Sequence, residues 1–133
     1  MDIRLVNTKV NQLLIEEIPD DKELFNLGFS IGYSTENAKE FVVIFDLEMT
    51  HRNNFFFKLK YLSTFEKDEN IDEAFKESSF PKVNAPAIAY PFLRAYVANL
   101  MLSSGFEPFL LPTINFTKLT PEKTLGGNQS AYK

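Results

Sequence analysis

Three stretches of the chain alternate between large apolar residues and other residues, and this pattern constrains the fold more than any other feature. Residues 24–33, 41–49 and 55–65 each place an apolar side chain at nearly every second position. A period of two indicates a half-buried β-strand, because successive side chains of a strand point to opposite faces of a sheet. The short connections between the three stretches favour an antiparallel meander.

A further strand is predicted near the start of the chain. Residues 3–15 are rich in β-branched side chains and alternate moderately, whereas residues 16–23 contain Pro19 and several acids and are expected to form a loop or crossover. A length of 133 residues is typical of one domain, and no repeat marks a second one. We therefore predict one domain over residues 1–133 that contains a four-stranded antiparallel sheet.

The second half of the chain is expected to contain the main helix, over residues 86–104. This segment is apolar on nearly all sides, and Arg94 is its only charged residue. Gly105 is expected to end the helix, since glycine readily adopts the left-handed conformation found there. A helix without a polar stripe packs on more than one side. We predict that the sheet covers one side and a second subunit the other.

Shorter elements surround the main helix. Asn70 is a candidate N-cap with Glu73 three residues on, so a short helix is expected there. Residues 78–84 are interpreted as a linker, residues 106–116 as an extended segment and residues 117–133 as a poorly ordered tail. The predicted fold class is therefore α+β, with a four-stranded antiparallel sheet and one long apolar helix.

The composition argues against most enzymatic chemistry. The chain has no cysteine, which excludes disulfides, thiolate nucleophiles and cysteine-ligated metals. His51 is the only imidazole, and we expect it to be an exposed loop residue rather than a catalytic base. No phosphate-binding glycine motif is present. We predict a protein that is not an enzyme and that needs neither a metal nor a cofactor.

The net charge and the hydropathy limit the classes of partner that we expect. Lysine and arginine number 14 against 18 acids, so a net charge of −4 disfavours nucleic acid. Residues 85–102 approach transmembrane length, but Arg94 lies near their middle, and we expect no membrane insertion. The first residues lack the apolar core of a signal peptide. A cytoplasmic location is therefore expected.

Aromatic residues are the remaining feature, since the chain has 14 phenylalanines and no tryptophan. Most are expected in the core of the sheet, and some in a subunit interface or an exposed apolar groove. The candidates for such a groove are Phe56, which points away from its neighbours on the strand, and Tyr90, Phe106 and Phe109, which flank the ends of the main helix. The alternative is that all four are core or interface residues.

The region from the main helix onward resembles the SecB family of bacterial protein-export chaperones. Pro86, Ile88, Pro91 and Arg94 match that family's Pro-x-Ile-x-Phe-Pro-x-x-Arg pattern, with Tyr90 in place of the phenylalanine. Further on, the chain has Gly-Phe-x-Pro at residues 105–108 and Leu-Pro-x-Ile-Asn-Phe at 111–116, which resemble the family's stretches at the same points. Thr8-Lys9 falls where the family's first strand has a Thr-Lys pair.

The resemblance implies subunits that pair into dimers, and dimers into tetramers, for ATP-independent holding of unfolded chains in apolar grooves. If unfolded chains are held in this way, Phe56, Tyr90, Phe106 and Phe109 are the candidate client-binding residues, and Pro91, Arg94 and Gly105 are expected to be structural. Arg94 is also expected to be structural on physical grounds, because a charge in an apolar helix persists when it is paired.

Some residues depart from the family. Its export members dock the translocation ATPase SecA through acids on the sheet, whereas this chain has Val10, Leu14 and Lys58 at the corresponding points. We therefore expect no docking of SecA through the sheet. The 16–23 loop is shorter than the family's crossover, and the sequence after Phe116 does not indicate a lid helix.

Two alternatives stay open. One is a dedicated adaptor of the same fold that serves a single partner, such as a toxin–antitoxin pair or a phage-encoded factor. The other is a small-molecule-binding α+β domain, for which a closed pocket with converging polar groups is expected instead of an open groove.

Overall fold

The computed structural model describes residues 2–18, 23–51, 54–121 and, for the backbone, 124–125. The strands are β1 (Ile3–Glu17), β2 (Phe25–Tyr33), β3 (Glu40–His51), β4 (Phe55–Lys67) and β5 (Thr124–Leu125). The helices are α1 (Glu73–Glu77) and α2 (Ala85–Ser103), and a π-helical turn, Phe80–Asn84, leads directly into α2.

The strands form one antiparallel sheet in the order β1-β4-β3-β2-β5. The predicted α+β fold, with four antiparallel strands and one long helix, is confirmed. Strand β1 pairs with β4 and not with β2, its neighbour in sequence. Two register shifts interrupt β1, between Leu5 and Asn7 and between Val10 and Gln12. Such bulges increase local twist.

One face of the sheet carries the apolar residues of the alternation, as predicted, and we call it the core face. Aromatic rings meet there across neighbouring strands, and Phe41 and Phe65 stack with their centroids 5.2 Å apart. The opposite face, which we call the outer face, carries the intervening residues. The fully or nearly fully buried strand residues of the core face include Leu27, Phe29, Phe41, Val43, Phe45, Leu47, Met49, Phe57, Leu59 and Phe65.

Helix α2 covers the centre of the core face. Five of the residues that it buries recur every four positions and form one stripe along the helix, at Ala85, Ala89, Leu93, Val97 and Met101. Pro86 and Tyr90 are buried beside this stripe. Tyr96 stacks on Tyr61 of β4 at 5.5 Å between centroids. Alanines at two of these positions allow the helix backbone to approach the sheet closely.

The helix boundaries differ from the prediction in two places. The N-cap of α1 is Asp72 and not Asn70, since the Asp72 carboxylate accepts a 2.8 Å hydrogen bond from the Phe75 amide. Residues 78–84 are not a linker throughout, because Phe80–Asn84 is helical and continues into α2. Pro81 is compatible with this turn because it lies in the first turn of a helix, where backbone N–H groups have no partner within the helix. The N–H that proline lacks is therefore not needed there.

The predicted tail falls partly within the described residues. Asn115 accepts backbone hydrogen bonds from Lys118 and Leu119 in a turn, and Leu119 is buried in the core. Residues 122–123 and 126–133 lie outside the described residues, so the prediction of a poorly ordered tail is not tested there. Among the described helices, none is both long enough and apolar enough to cross a membrane.

The outward face of α2 is also apolar. Ile88, Phe92, Ala95, Asn99 and Leu102 follow one another at intervals of four and three residues, the spacing of a coiled-coil seam. Phe92 is 49% exposed and Leu102 is 63% exposed. The Nε of Arg94 is buried and has no hydrogen-bond partner among the described residues. Both observations agree with the prediction that a second subunit packs on this side of α2. The pairing of Arg94 stays a prediction.

We expect the chain to be at least a dimer, and Phe92→Asp to weaken its self-association at least about tenfold, because the substitution places a charge in an apolar seam. Light scattering after size exclusion at micromolar concentration measures this. Glu69→Lys, on an exposed loop, is the control and should keep the native mass. A wild-type chain that is a stable monomer would contradict the prediction.

Candidate functional site

The end of α2 directs the chain back across the sheet. The Gly105 amide donates to the carbonyl of Leu102 at 3.2 Å, and the Phe106 amide donates to that of Met101 at 2.9 Å. This pair of bonds is the Schellman arrangement that closes helices. It requires the left-handed conformation of Gly105, whose φ is +90°. Phe106 therefore leaves the helix in a fixed direction.

Phe106 enters an aromatic cluster at one end of the sheet. Its ring centroid lies 4.7 Å from that of Phe55, 5.3 Å from Phe57 and 6.1 Å from His51, in each case with steeply inclined ring planes. Edge-to-face contacts of this kind stabilise aromatic pairs beyond the burial of area. His51 was expected to be an exposed loop residue. It is instead the half-buried last residue of β3 and packs between Phe57 and Phe106.

The extended segment after Phe106, which we call the strap (residues 106–116), lies beside α2. Phe109 contacts Phe25 of β2 at 6.2 Å between centroids, and Phe116 contacts Phe29 at 5.5 Å. The Tyr90 hydroxyl of α2 donates a 2.5 Å hydrogen bond to the carbonyl of Pro112. The core face is thus covered by two pieces, α2 and the strap, and the hydrogen bond between Tyr90 and Pro112 joins them.

The strap exposes one large apolar side chain between its anchors. Leu111 is buried, and Leu110, next to it in an extended segment, points away and is 71% exposed. The most exposed large apolar side chains of the described residues are Leu102, at the end of α2, and Leu110. They lie on either side of the Gly105 turn in the sequence. An exposed apolar surface on a rigidly anchored segment is suited to contact with another apolar chain.

The structure separates the four predicted client-binding residues. Phe106 and Phe109 are half-buried and belong to the strap, whereas Tyr90 is in the core at 5% exposure, against Phe45 and Phe116. Phe56 alternates with Phe55 and Phe57 and lies half-buried on the outer face. The four side chains therefore do not form one surface, and their contact with a client stays a prediction.

Leu110 was missed because the sequence reasoning followed aromatic residues. Its signal lay in the run Phe109-Leu110-Leu111, since an extended chain between prolines directs neighbouring side chains to opposite sides. Only one of two adjacent leucines can then reach the core.

The outer face carries opposite charges directly across β3 and β4. Lys60 is paired in register with Asp46, with 3.9 Å between Nζ and Oδ1, and Lys58 is paired with Glu48. At the far end of the sheet Arg4 of β1 forms ion pairs with Glu66 and Asp68. The hydrogen bond to Asp68 is the main cause of the raised pKa of Arg4. Asp46, Glu48 and Glu66 therefore each lie opposite a cation.

Within residues 2–18, 23–51 and 54–121, no three histidine or acidic side chains are grouped so that they could hold a metal ion. Burial raises the pKa of Tyr96, with a smaller contribution from Tyr61, and so holds that phenol in its neutral form. The fold is α+β, and the most exposed large side chains on either side of the Gly105 turn, Leu102 and Leu110, are apolar.

Comparison with known proteins identifies the family. Residues 5–124 match the family described as preprotein translocase subunit SecB, so the chain belongs to the SecB family. Its members are chaperones and not enzymes, in agreement with the prediction. An uncharacterised protein of Methanocaldococcus jannaschii is 26% identical over 111 residues, which cover 78% of this chain and 72% of that protein.

Two further matches carry the SecB name. The protein-export protein SecB of Anaplasma phagocytophilum is 33% identical over 81 residues, which cover 59% of this chain and 50% of that protein. The alignment thus spans about half the length of this relative. A Mycobacterium tuberculosis SecB-like chaperone, solved in complex with a ChAD peptide from the HigA1 antitoxin, aligns with a TM-score of 0.60 at 15% identity. The alignment covers 82% of this chain and 85% of the M. tuberculosis chain, and it shows that the two share a fold.

We expect Gly105→Ala to lower the free energy of unfolding by about 1 kcal/mol, because alanine in the left-handed region is strained. No atom lies within 4 Å of a Cβ built at Gly105, so the cost comes from the backbone alone. Urea unfolding measures the difference. Ser104→Ala, one residue earlier and at a φ of −90°, is the control. Equal losses in the two variants would show that the left-handed turn is not the cause.

Proposed function

We propose that this protein is an ATP-independent holdase that binds extended apolar segments of unfolded polypeptides. The observation that carries the proposal is the exposure of Leu110 on a strap that aromatic contacts anchor to the sheet. Membership of the SecB family supports a chaperone-type role. Binding through apolar area requires no particular client sequence, as suits a protein that holds many unfolded chains.

The energetics fit weak and reversible holding. Each apolar side chain removed from water contributes roughly 1.5–3 kcal/mol before the client's ordering is subtracted. A few such contacts give affinities in the micromolar range, because association and ordering cost several kcal/mol. A client that refolds or is transferred can therefore leave without an energy source.

Within this proposal, the predicted site residues have different tasks. Phe106 and Phe109 present their uncovered edges to a client beside Leu110, whereas Phe56 offers a separate contact on the outer face. Tyr90 reaches a client only when the strap lifts, and otherwise positions the strap through Pro112. Pro91, Arg94 and Gly105 are proposed as structural residues of α2 and its end.

We also propose a cytoplasmic homodimer or homotetramer. The outward face of α2 would supply the contact between subunits, and burial of that face would leave the strap accessible. A dedicated adaptor is the second candidate, because the M. tuberculosis protein of the same fold was solved with a peptide of an antitoxin. A dedicated adaptor protects one partner and ignores unrelated unfolded proteins.

For the client site, we expect Leu110→Ser to weaken capture of unfolded polypeptide roughly tenfold, as the loss of one buried leucine contact implies. Phe109→Ser should act in the same direction. Citrate synthase and a second, unrelated reporter protein are unfolded by heat, and their aggregation is followed by light scattering. The measurement is how far each variant suppresses that scattering.

The control is Thr113→Ser, an exposed position on the same strap. All variants must keep the native oligomeric mass and melting temperature before capture is compared. If Leu110→Ser and Phe109→Ser capture as well as the wild type, the strap is not the client site. If the wild type captures neither reporter, the holdase proposal itself fails.

The charges of the outer face lead to a prediction about SecA. A docking site for a cationic partner needs a cluster of acidic side chains. Here Lys58 lies directly across from Glu48, and Lys60 directly across from Asp46, so the negative charges are offset. We expect no saturable binding of SecA's C-terminal segment at micromolar concentration. Lys58→Glu with Lys60→Glu creates a cluster of four acids and should introduce salt-sensitive binding.

Lys82→Glu with Lys118→Glu, at two exposed positions outside the strands, changes the net charge by the same amount and should leave binding absent. A titration in which the wild-type chain binds that segment, with affinity that falls as salt rises, would contradict the prediction.

A further inference from the structure

The outer edge of β2 holds a strand of the chain itself. Thr124–Leu125, which form β5, pair antiparallel with this edge, Leu125 opposite Leu27 and Thr124 opposite Gly28. Strand β2 has nine residues and β5 has two. Among the described residues, β5 is the only strand on this edge, and it covers a small part of the length available.

The direction of the β2 amides follows from its bonds to β3. The Thr50 amide donates to the carbonyl of Leu24, and the Ser34 amide donates to that of Glu40. Backbone groups alternate between the two edges of an antiparallel strand. The even-numbered residues of β2 therefore bond to β3, and the odd-numbered ones, Leu27 among them, direct N–H and C=O to the outer edge.

This edge borders the proposed client site. Phe109 of the strap contacts Phe25, the first residue of β2, and Phe116 contacts Phe29. A polypeptide that lies along β2 would form backbone hydrogen bonds with the outer edge of that strand. Those of its side chains that point to the core face would contact the strap. This is the strand-addition mode of peptide recognition. The two-residue β5 occupies part of the same edge.

We propose that β5 is an internal competitor for the client strand: Thr124–Leu125 occupy the edge of β2 in the empty protein and are displaced when an extended client pairs there. The proposal rests on the proposed holdase function. A ladder of two residues is weak, so its release costs little. It nevertheless shields the edge from other sheet edges when no client is bound, which limits aggregation.

Proline substitutions at the two positions of β5 separate this role from other effects. Leu125 lies opposite the outward-directed Leu27, so its amide points at β2, whereas the amide of Thr124 points away. Leu125→Pro therefore removes a donor to β2, and Thr124→Pro removes none. Leu125→Val, which alters the side chain and keeps the amide, completes the set.

Hydrogen exchange on the full chain measures occupancy without any client. We expect the Leu27 amide to exchange faster in Leu125→Pro than in wild type, Thr124→Pro or Leu125→Val. The Ser30 amide bonds to β3 and should exchange equally in all four. Unchanged exchange of Leu27 in Leu125→Pro would overturn the proposal and would leave the holdase proposal intact.

Client affinity is measured with a fluorescein-labelled peptide, Lys-Thr-Val-Thr-Val-Thr-Val-Thr-Lys. Leu125→Pro should bind it about threefold to tenfold more tightly than wild type, because the edge is free in a larger fraction of molecules. Equal affinity despite faster exchange of Leu27 would overturn the competition. A peptide that binds none of the four chains would contradict the holdase proposal and the competition together.

Methylated copies of the peptide locate the binding edge. Residues directly opposite each other in an antiparallel pair share a face, so valines that face the core lie opposite the odd-numbered residues of β2 and direct their amides to it. N-methylation of the valines should abolish binding, and N-methylation of the threonines should not. Equal loss from both copies would show that binding does not use this edge.

Discussion

One apolar face of a four-stranded sheet must be kept from water, and the other elements of the chain are arranged around that requirement. A sheet of four strands is wider than a single helix, so α2 alone cannot cover the core face. The strap covers the remainder, and Tyr90 joins the two pieces through Pro112. The turn at Gly105 makes this possible, because it reverses the chain without leaving the sheet.

Coverage by an extended strap has a consequence that a second helix would not have. A helix can turn a whole apolar stripe inward, whereas an extended chain directs alternate residues to opposite sides. Burial of Leu111 therefore exposes Leu110, and the prolines of the strap limit the conformations that could hide it. The exposed apolar surface that we assign to clients follows from the way in which the core is closed.

The sequence predicted the sheet well because alternation is a local signal. The core-face residues of β2, β3 and β4 could be named from it, and so could α2 from its continuous apolar run. The neighbour of β1 could not be predicted, since the chain between β1 and β2 does not reveal which edge it reaches. Asp72 as N-cap and the helical turn Phe80–Asn84 depended on local hydrogen bonds that residue types alone leave open. Of the predicted client-binding residues, Phe106 and Phe109 lie on the strap, which we propose as the client site. The burial of Tyr90 and the exposure of Leu110 both required the path of the strap.

The two edges of the sheet pose different physical problems. Strand β1 is long, its side chains are largely exposed on both faces, and its bulges twist it. Bulges and charged side chains such as Lys9 hinder random pairing at this edge. Strand β2 is shorter and borders the strap, and its outer edge is occupied in part by β5. Under the proposed function this edge cannot be blocked permanently, since the same backbone groups that would serve a client also attract other strands. A weak strand of its own satisfies both needs, because it lowers the exposure of the edge and yields to any segment that forms a longer ladder.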